Sequence, residues 1–241
     1  VNEATIKLNV AHEYGGGISS RAGAALHLLP GSRVVNNNAT FGGGGGVYGS
    51  SASHVTATGT VLNFNTAAQN GGGVYMTSGA TAVLQQGSTM QANIAYGGIG
   101  SAVYMTGNTT EVSISASSFT DHESSVKGGT FAVYGGAFLL MQQGTTVRNS
   151  KSADGGALFA SGAWSRVEVR GSSIQSCSAS SSGGGIAARD GAAVDVGDFT
   201  SLVENNATIG GAIDGKDAGT VVTVNEATIK LNVAHEYGGG I

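Results

Sequence analysis

A cysteine and a histidine are the residues of this chain that could supply a nucleophile and its base. Cys177 is the single cysteine, and His122 occupies the equivalent position of a repeat described below. A thiolate is activated when an imidazole lies within hydrogen-bond reach. The repeat places the two residues two coils apart, roughly 10 Å along the axis. We therefore expect both side chains to fill structural positions rather than to form a catalytic pair.

Acidic residues and arginines are the groups that a calcium-dependent polysaccharide lyase would cluster on one surface, because Ca²⁺ takes several oxygen ligands. Arg166 and Arg170 have no acidic cluster beside them, and the GGxGxD calcium repeat is absent from the sequence. The aspartates are scattered over different positions of the repeat: Asp121, Asp154, Asp190, Asp195, Asp198, Asp214 and Asp217. We predict that the chain is not an enzyme and holds no metal or cofactor.

Glycine-rich loops can cradle phosphate groups, and 42 of the 241 residues are glycine. A phosphate loop is followed by a GK[ST] sequence and by a helix whose amino terminus attracts the anion. No glycine run in this chain is followed by either feature. The runs are therefore predicted to form corners, where a positive φ or a close approach of coils leaves no room for a Cβ.

A perfect duplication reveals the elements that position these residues. Residues 224–241 repeat residues 1–18, VNEATIKLNVAHEYGGGI, without a single change. The sequence is therefore interpreted as one tandem period, residues 1–223, followed by the start of the next identical period, residues 224–241. Such tandem identity is typical of repeat architectures.

Two columns of apolar residues divide the period into eight shorter repeats that advance by 27 to 29 residues. The first column closes each glycine run, and the second begins a hydrophobe-x-x-polar step. The first is Ile18, Val47, Val74, Val103, Phe131, Leu158, Ile186, Ile213 and Ile241. The second is Ile6, Val34, Leu62, Met90, Phe119, Val147, Ile174, Leu202 and Ile229.

Short alternating runs, such as Val112–Ile114 and Val167–Val169, form a third column of strand candidates. A repeat with three short strands cannot bury its own apolar face, so each strand must pair with its equivalent in the neighbouring coils. The predicted fold is all-β, a parallel β-helix (solenoid) with about 28 residues per coil and eight coils per 223-residue period.

A polar column follows the second apolar column by three residues, and six of its nine members are asparagine. Asparagine tolerates the left-handed conformation of a tight corner, and inward-pointing amides can bond the next coil. We predict a structural ladder of Asn9, Asn37, Asn65, Asn93, His122, Ser150, Cys177, Asn205 and Asn232.

Aromatic residues directly follow several members of the first apolar column. If the apolar residue points inward, the next residue points outward. Tyr48, Tyr75, Tyr104 and Phe159 are therefore predicted to form an exposed stripe for lateral contacts. Ordinary strand propensity explains the same residues equally well.

The sequons, the net charge and the lengths of the apolar runs indicate which partners this chain could have. Asn38, Asn108 and Asn206 begin N-x-[ST] sequons and are candidate N-glycosylation sites in a eukaryotic source. The net charge of −4 and the lack of a basic patch exclude nucleic acid. No apolar run is long enough to span a membrane.

The FxxN and GGA[ILV] motifs identify a family resemblance. GGAL at residues 155–158, GGAI at 210–213 and FTDH at 119–122 resemble motifs of the passenger domains of chlamydial polymorphic outer membrane proteins. The resemblance extends over the whole chain and implies a right-handed parallel β-helix of the pectate-lyase-like superfamily. It also implies a surface-exposed or secreted protein, in many cases an adhesin.

We expect a structural segment of a long extracellular filament or surface appendage, in which copies of the period join end to end. Uniform repeats favour a fibre, because an adhesin should vary at its tip and an enzyme should contain one irregular coil. The alternatives are a β-helical cell-surface adhesin or polysaccharide-binding passenger domain, with glycans as partners, and a polysaccharide lyase.

Overall fold

A computed structural model describes residues 2–241 as short parallel strands joined by tight corners, with no α-helix among those residues. Each complete coil contributes one strand to each of four parallel sheets. The chain is a parallel β-solenoid of about eight turns with about 28 residues per turn, as predicted. Val1, the first residue of the predicted period, lies outside the described residues.

The first and second sheets, in the order in which the chain enters them, contain nine strands each. The strands of the first sheet are Thr5–Lys7, Arg33–Val35, Val61–Asn63, Thr89–Gln91, Ser118–Thr120, Thr146–Arg148, Ser173–Gln175, Ser201–Val203 and Thr228–Lys230. Those of the second sheet are Val10–Ala11, Asn38–Ala39, Thr66–Ala67, Ile94–Ala95, Glu123–Ser124, Lys151–Asp154, Ser178–Ser182, Asn206–Ile209 and Val233–Tyr237.

The third and fourth sheets contain eight strands each. The strands of the third sheet are Ile18–Ser20, Val47–Gly49, Val74–Thr77, Val103–Thr106, Phe131–Tyr134, Leu158–Ser161, Ile186–Arg189 and Ile213–Gly215. Those of the fourth sheet are Ala25–Leu28, His54–Thr58, Thr81–Gln85, Glu111–Ser115, Phe138–Gln142, Arg166–Arg170, Ala193–Gly197 and Val221–Val224.

The apolar columns predicted from the sequence lie in register inside the solenoid. Ile6 pairs with Val34 in the first sheet, and Val47 pairs with Val74 in the third. The alternating runs form the fourth sheet, where Val112 pairs with a leucine of the next coil. Members of all three columns belong to one continuous core of buried residues.

The expectation of three strands per coil is wrong, because each coil has four. The additional strand is only two residues long in the first coils, as in Asn38–Ala39, and follows the asparagine position directly. Two residues are too few to produce an alternating pattern in the sequence. Pairing with the neighbouring coils nevertheless satisfies their backbone groups, as between Thr66 and Ile94.

The residue with a left-handed backbone lies one position before the asparagine, not at the asparagine itself. This corner residue has a positive φ in every coil, for example 55° at Asn36, 56° at Phe64 and 49° at Ala92. The left-handed tolerance of asparagine is therefore the wrong explanation for the polar column. Its side-chain hydrogen bonds are described in the next section.

Candidate functional site

The polar column forms a chain of amide hydrogen bonds inside the corner between the first and second sheets. The Nδ2 atom of Asn37 donates to Oδ1 of Asn65 over 3.0 Å, and Nδ2 of Asn65 donates to Oδ1 of Asn93 over 3.1 Å. Each Oδ1 also accepts the backbone N–H of the preceding coil's asparagine. The three side chains are buried, so these bonds satisfy polar groups that water cannot reach.

His122 occupies the next place in the column and makes two hydrogen bonds with backbone groups. Its Nδ1 atom accepts the backbone N–H of Asn93 over 3.2 Å, and its Nε2 atom lies 3.2 Å from the carbonyl oxygen of Met90. An accepting Nδ1 requires the proton to be on Nε2, which then donates to that carbonyl. Burial lowers the pKa of His122 to about 4, so the ring is neutral at neutral pH.

Ser150 and Cys177 are the two members without an amide or an imidazole. The hydroxyl of Ser150 lies 2.6 Å from Oγ1 of Thr130, and the backbone N–H of Cys177 donates to Oδ1 of Asn205 over 3.0 Å. Both side chains are buried. Burial raises the pKa of the Cys177 thiol to about 12, so the sulfur is protonated and is a weak nucleophile.

The column differs at its two ends. Asn205 is buried, and its Nδ2 atom donates to Oδ1 of Asn232, which is partly buried, over 3.0 Å. At the other end Asn9 is exposed, and its Nδ2 atom donates to Oδ1 of Asn37 over 3.0 Å. Asn9 and Asn232 are equivalent residues of the duplicated segment. Asn9 donates to the asparagine of the following coil, and Asn232 accepts from the asparagine of the preceding coil.

A second polar column, which the sequence analysis missed, lies at the corner between the fourth and first sheets. The hydroxyl of Ser88 accepts the backbone N–H of Thr60 over 3.2 Å and donates to the carbonyl of Ala57 over 3.0 Å. Its members are buried serines and threonines at the 28-residue spacing: Ser32, Thr60, Ser88, Ser117, Thr145, Ser172 and Thr200. A count of hydroxyl residues in register would have found the column.

The structure does not bring His122 and Cys177 into a catalytic arrangement. Ser150 lies between them in the column, and both ring nitrogens of His122 are already engaged by backbone groups. A nucleophile needs a base with a free nitrogen in hydrogen-bond contact. The column is thus arranged to satisfy buried polar groups of successive coils.

The aromatic stripe is wrong as an exposed surface. Phe159 is 0% exposed and Tyr104 is 9% exposed, whereas Tyr48 and Tyr75 are half-buried. The ring of Tyr134 stacks on Phe159 with centroids 5.6 Å apart, and the ammonium of Lys127 lies 4.5 Å from the centre of the Phe159 ring. Neighbouring loops and side chains therefore cover the outer side of the third sheet, and Phe159 has no surface left for a lateral contact.

The same rings form a continuous stack along the solenoid, with two tyrosines that the sequence analysis did not include. Tyr14 stacks on Tyr48 at 4.7 Å, Tyr75 contacts Tyr104 at 4.8 Å, and Tyr134 extends the stack to Phe159. Burial raises the pKa values of Tyr75, Tyr104 and Tyr134. Their phenols are therefore neutral, and the stack stabilises the outer side of the sheet through ring contacts.

Arg166 and Arg170 have individual acidic partners, which the search for an acidic cluster in the sequence did not identify. Glu168 lies between them on the same strand and forms ion pairs with both, at 3.7 Å for Arg170 Nε. Arg170 also forms an ion pair with Asp195 of the next coil. Strand pairing produces this cluster, because it brings together residues 25 positions apart in the chain.

The three sequon asparagines lie in different surroundings. Asn108 is exposed in a turn, whereas Asn38 and Asn206 are half-buried at the start of strands in the second sheet. Oδ1 of Asn38 accepts a hydrogen bond from Oγ1 of Thr66 over 3.0 Å. Of the three, Asn108 has the side chain most accessible to a glycosyltransferase, and N-glycosylation stays a prediction for all of them.

The fourth sheet has an outer face on which apolar and charged side chains lie side by side. Phe138 and Leu140 point outward from its central strand, with Glu111 one coil before and Arg166 one coil after. A recess of about 320 Å³ lies against this surface, lined by His54, Thr81, Val83, Glu111, Phe138 and Leu140 among others. Within residues 2–241 no cluster of acidic, histidine or cysteine side chains could hold a metal ion.

Comparison with other proteins leaves the fold as the basis of classification. No protein-family model, no curated protein and no solved structure matches this chain. In the part of the chain that the structure describes, no helix is long and apolar enough to cross a membrane. The fold and the buried polar columns define the class of the protein, a parallel β-solenoid with tandem coils.

Proposed function

We propose that this chain is a structural segment of a long extracellular filament or surface appendage. In this proposal, 223-residue periods follow one another as one continuous solenoid, and residues 224–241 are the start of the next period. The proposal rests on one observation, the behaviour of the duplicated segment in its two places.

From residue 3 to residue 11, the first copy of the duplicated segment adopts the same conformation as the second copy, whose second-sheet strand is longer, Val233–Tyr237 against Val10–Ala11. The corner residue has a φ of 58° at Leu8 and 56° at Leu231, and the earlier corner has 47° at Glu3 and 49° at Glu226. The strand Thr5–Lys7 has its equivalent in Thr228–Lys230. The first corner, the first-sheet strand and the next corner therefore have the same shape whether the neighbour is the following coil or the preceding one.

The two copies of the segment use opposite faces, and each face fits its neighbour. The first copy pairs with the coil after it, where Ile6 is in register with Val34. The second copy pairs with the coil before it, where Ile229 is in register with Leu202. A single coil at a junction between periods can therefore make both sets of contacts at once, because they lie on opposite sides of the coil.

The hydrogen bonds of the polar column support the same continuity. Asn232 accepts from Asn205 through its Oδ1 atom and donates to the carbonyl of Leu202 over 2.9 Å. Its equivalent Asn9 donates to Asn37. In a continuous array the junction asparagine accepts from one side and donates to the other, as Asn65 does between Asn37 and Asn93.

Uniform coils are the property that a filament shaft requires. Each coil contacts only its neighbours, so added periods extend the solenoid without a new fold. Eight coils at the strand spacing of about 4.8 Å give roughly 38 Å of length for each period. An extracellular location follows as part of the proposal, and antibodies raised against the folded chain should label material outside the source cells.

Tandem expression of the period tests the proposal. Chains with one, two and four copies of residues 1–223 are measured by small-angle X-ray scattering and by electron microscopy. A continuous solenoid lengthens by roughly 38 Å for each added period and remains a single rod. Hydrogen exchange should also show protected amides in the junction strand that corresponds to Thr228–Lys230.

A two-period chain with a flexible Gly/Ser linker of about 10 residues between the periods is the matched control. This control should hinge at the linker and lose the protection of the junction strand. If the directly joined periods behave like the control, as two bodies that tumble separately, the filament proposal is wrong. The adhesin alternative would then gain support.

A further inference from the structure

The outer face of the fourth sheet combines an apolar centre with charged residues of both signs. We call it the Phe138 face and define it by the outward-pointing residues of five neighbouring strands: Thr81, Val83, Glu111, Ser113, Ser115, Phe138, Leu140, Arg166, Glu168, Arg170 and Asp195. Glu111 is exposed, and the side chain of Arg166 is 61% exposed. Phe138, Leu140 and Val83 are half-buried. No part of the described chain covers this face in the way that Tyr134 and Lys127 cover Phe159.

The charges are placed symmetrically about Phe138. Strand register pairs Glu111 with Phe138 and Phe138 with Arg166, so the three residues form one column across three successive coils. With strands about 4.8 Å apart, each charge lies one strand spacing from the aromatic centre. Along the solenoid axis, this column therefore consists of a negative, an apolar and a positive side chain.

We propose that the Phe138 face pairs with the Phe138 face of a second copy of this chain, with the two solenoid axes antiparallel. A twofold axis along the central strand maps each coil onto the coil at the same distance on the other side of Phe138. Glu111 of each copy then faces Arg166 of the other, and Phe138 and Leu140 face their own equivalents. The interface is isologous and contains the Glu111–Arg166 contact twice.

The remaining residues of the face are compatible with this pairing. Ser113 faces Glu168 of the other copy, and its hydroxyl can donate to that carboxylate. Val83 faces Asp195, and Ser115 faces Arg170, so neither contact brings like charges together. Asp195 and Arg170 already neutralise each other within one chain.

Charge also selects the direction of the pairing. A parallel arrangement would place Glu111 level with Glu111 of the second copy, and Arg166 level with Arg166. Like charges directly opposite one another destabilise a contact. A twofold axis one coil earlier would bring the two Glu111 side chains together, and repulsion between their carboxylates would destabilise that arrangement as well.

The recess beside Glu111 gives Arg166 of the second copy a place to bind. Its volume of about 320 Å³ and its apolar lining by Val83 and Phe138 suit the methylene stem of an arginine. Glu111 stands at the same recess and can accept the guanidinium. Within one chain, the guanidinium of Arg166 lies 5.5 Å from the centre of the Phe138 ring and forms an ion pair with Glu168, so Glu111 of the second copy would be its second acidic partner.

The pairing goes beyond the proposed filament, because two separate chains suffice for it. Five strands of five residues each give a face of roughly 400 Å² per copy, about half the usual contribution to a stable interface. One pair of faces is therefore expected to associate weakly. In a tandem array the face recurs once per period, so that several weak contacts act together.

Sedimentation equilibrium of the 241-residue chain, at concentrations up to about 1 mM, tests the pairing. The parent should form dimers, and Glu111→Arg or Arg166→Glu should weaken the association about tenfold or more, since each change opposes like charges twice. The double variant Glu111→Arg/Arg166→Glu restores unlike pairs and should associate within about threefold of the parent. Phe138→Ser should weaken the association without any change of charge.

Arg148→Glu is the control, because Arg148 is exposed on the first sheet, away from the Phe138 face. It should associate like the parent, and circular dichroism should show that every variant is folded. A parent that stays monomeric over the whole range overturns the pairing and leaves the face to a partner of other chemistry. Folded single variants that associate like the parent, or a double variant that fails to recover, overturn the antiparallel arrangement.

Discussion

His122 should make the stability of this solenoid sensitive to mild acid. The ring is 0% exposed, and burial lowers its pKa from the ordinary value of 6.5 to about 4. The unfolded chain therefore binds a proton on this residue between about pH 6.5 and pH 4, while the folded chain does not. Because the unfolded state binds more protons there, the free energy of unfolding falls as the pH is lowered through this window.

The size of the effect follows from the shift of the pKa. One unit of pKa difference corresponds to about 1.4 kcal/mol, so a shift from 6.5 to about 4 corresponds to about 3 kcal/mol. This contribution is complete above about pH 6.5 and is lost at and below about pH 4. A loss of 3 kcal/mol is a large fraction of the stability of an ordinary domain.

The variant His122→Asn isolates this contribution. An asparagine can reproduce both hydrogen bonds, because Oδ1 of Asn93 accepts the N–H of Asn65 and Nδ2 of Asn93 donates to the carbonyl of Leu62. The smaller side chain leaves some space beside Phe119, which costs a pH-independent amount. The variant should therefore lose less stability than the parent between pH 7.5 and pH 4, by about 3 kcal/mol.

Guanidinium denaturation at a series of pH values, followed by far-ultraviolet circular dichroism, measures this difference. The single tryptophan, Trp164, is 86% exposed and is a poor probe of core unfolding. His235→Asn is the matched control, because His235 is exposed, and it should leave the pH dependence of stability as in the parent. Parallel loss of stability in the parent and in His122→Asn would refute the reasoning.

Three further substitutions test the polar column and the glycine corner. Asn93→Leu removes the acceptor of Asn65 and should lower the free energy of unfolding by about 1–3 kcal/mol in urea denaturation; unchanged stability would contradict the role of the column. Gly45→Ala places a Cβ 2.1 Å from the carbonyl oxygen of Thr66 and should cost about 3 kcal/mol or more. Gly87→Ala, with a φ of 78° and no atom within 4 Å of the added Cβ, should cost only about 1–2 kcal/mol by the same measurement. Equal effects of the two alanines would show that coil-to-coil contact does not restrict Gly45.

The coil length and the register of the core could be predicted from the sequence. Strand pairing between coils requires equivalent residues at a fixed spacing, so the recurrence of an apolar residue every 27 to 29 positions is itself the register. Val34, Leu62 and Met90 pair as that spacing predicts. The polar column was visible for the same reason, since asparagine recurs at one place in the repeat.

Exposure and charge pairing were decided by the tertiary structure. The outward direction of Phe159 follows from alternation along its strand, but its burial depends on Tyr134, at the end of the neighbouring strand of the same sheet, and on Lys127, which precedes that strand. The sequence places Arg170 and Asp195 25 residues apart, and only the stacking of coils makes them neighbours.

For the corners as well, the sequence determined the position and the tertiary structure determined the conformation. The repeat identifies where each corner lies, because the apolar columns end there. The left-handed residue of the corner can be Leu8, Phe64 or Glu204 as well as asparagine, so side-chain type does not reveal it. Its φ is imposed by the neighbouring coils, whose backbone hydrogen bonds set the path of the chain, as between Phe64 N and the carbonyl of Gln91 over 2.9 Å. Sequence periodicity thus determined the stacking of the coils, and contacts between the coils determined which residues are strained, buried or paired.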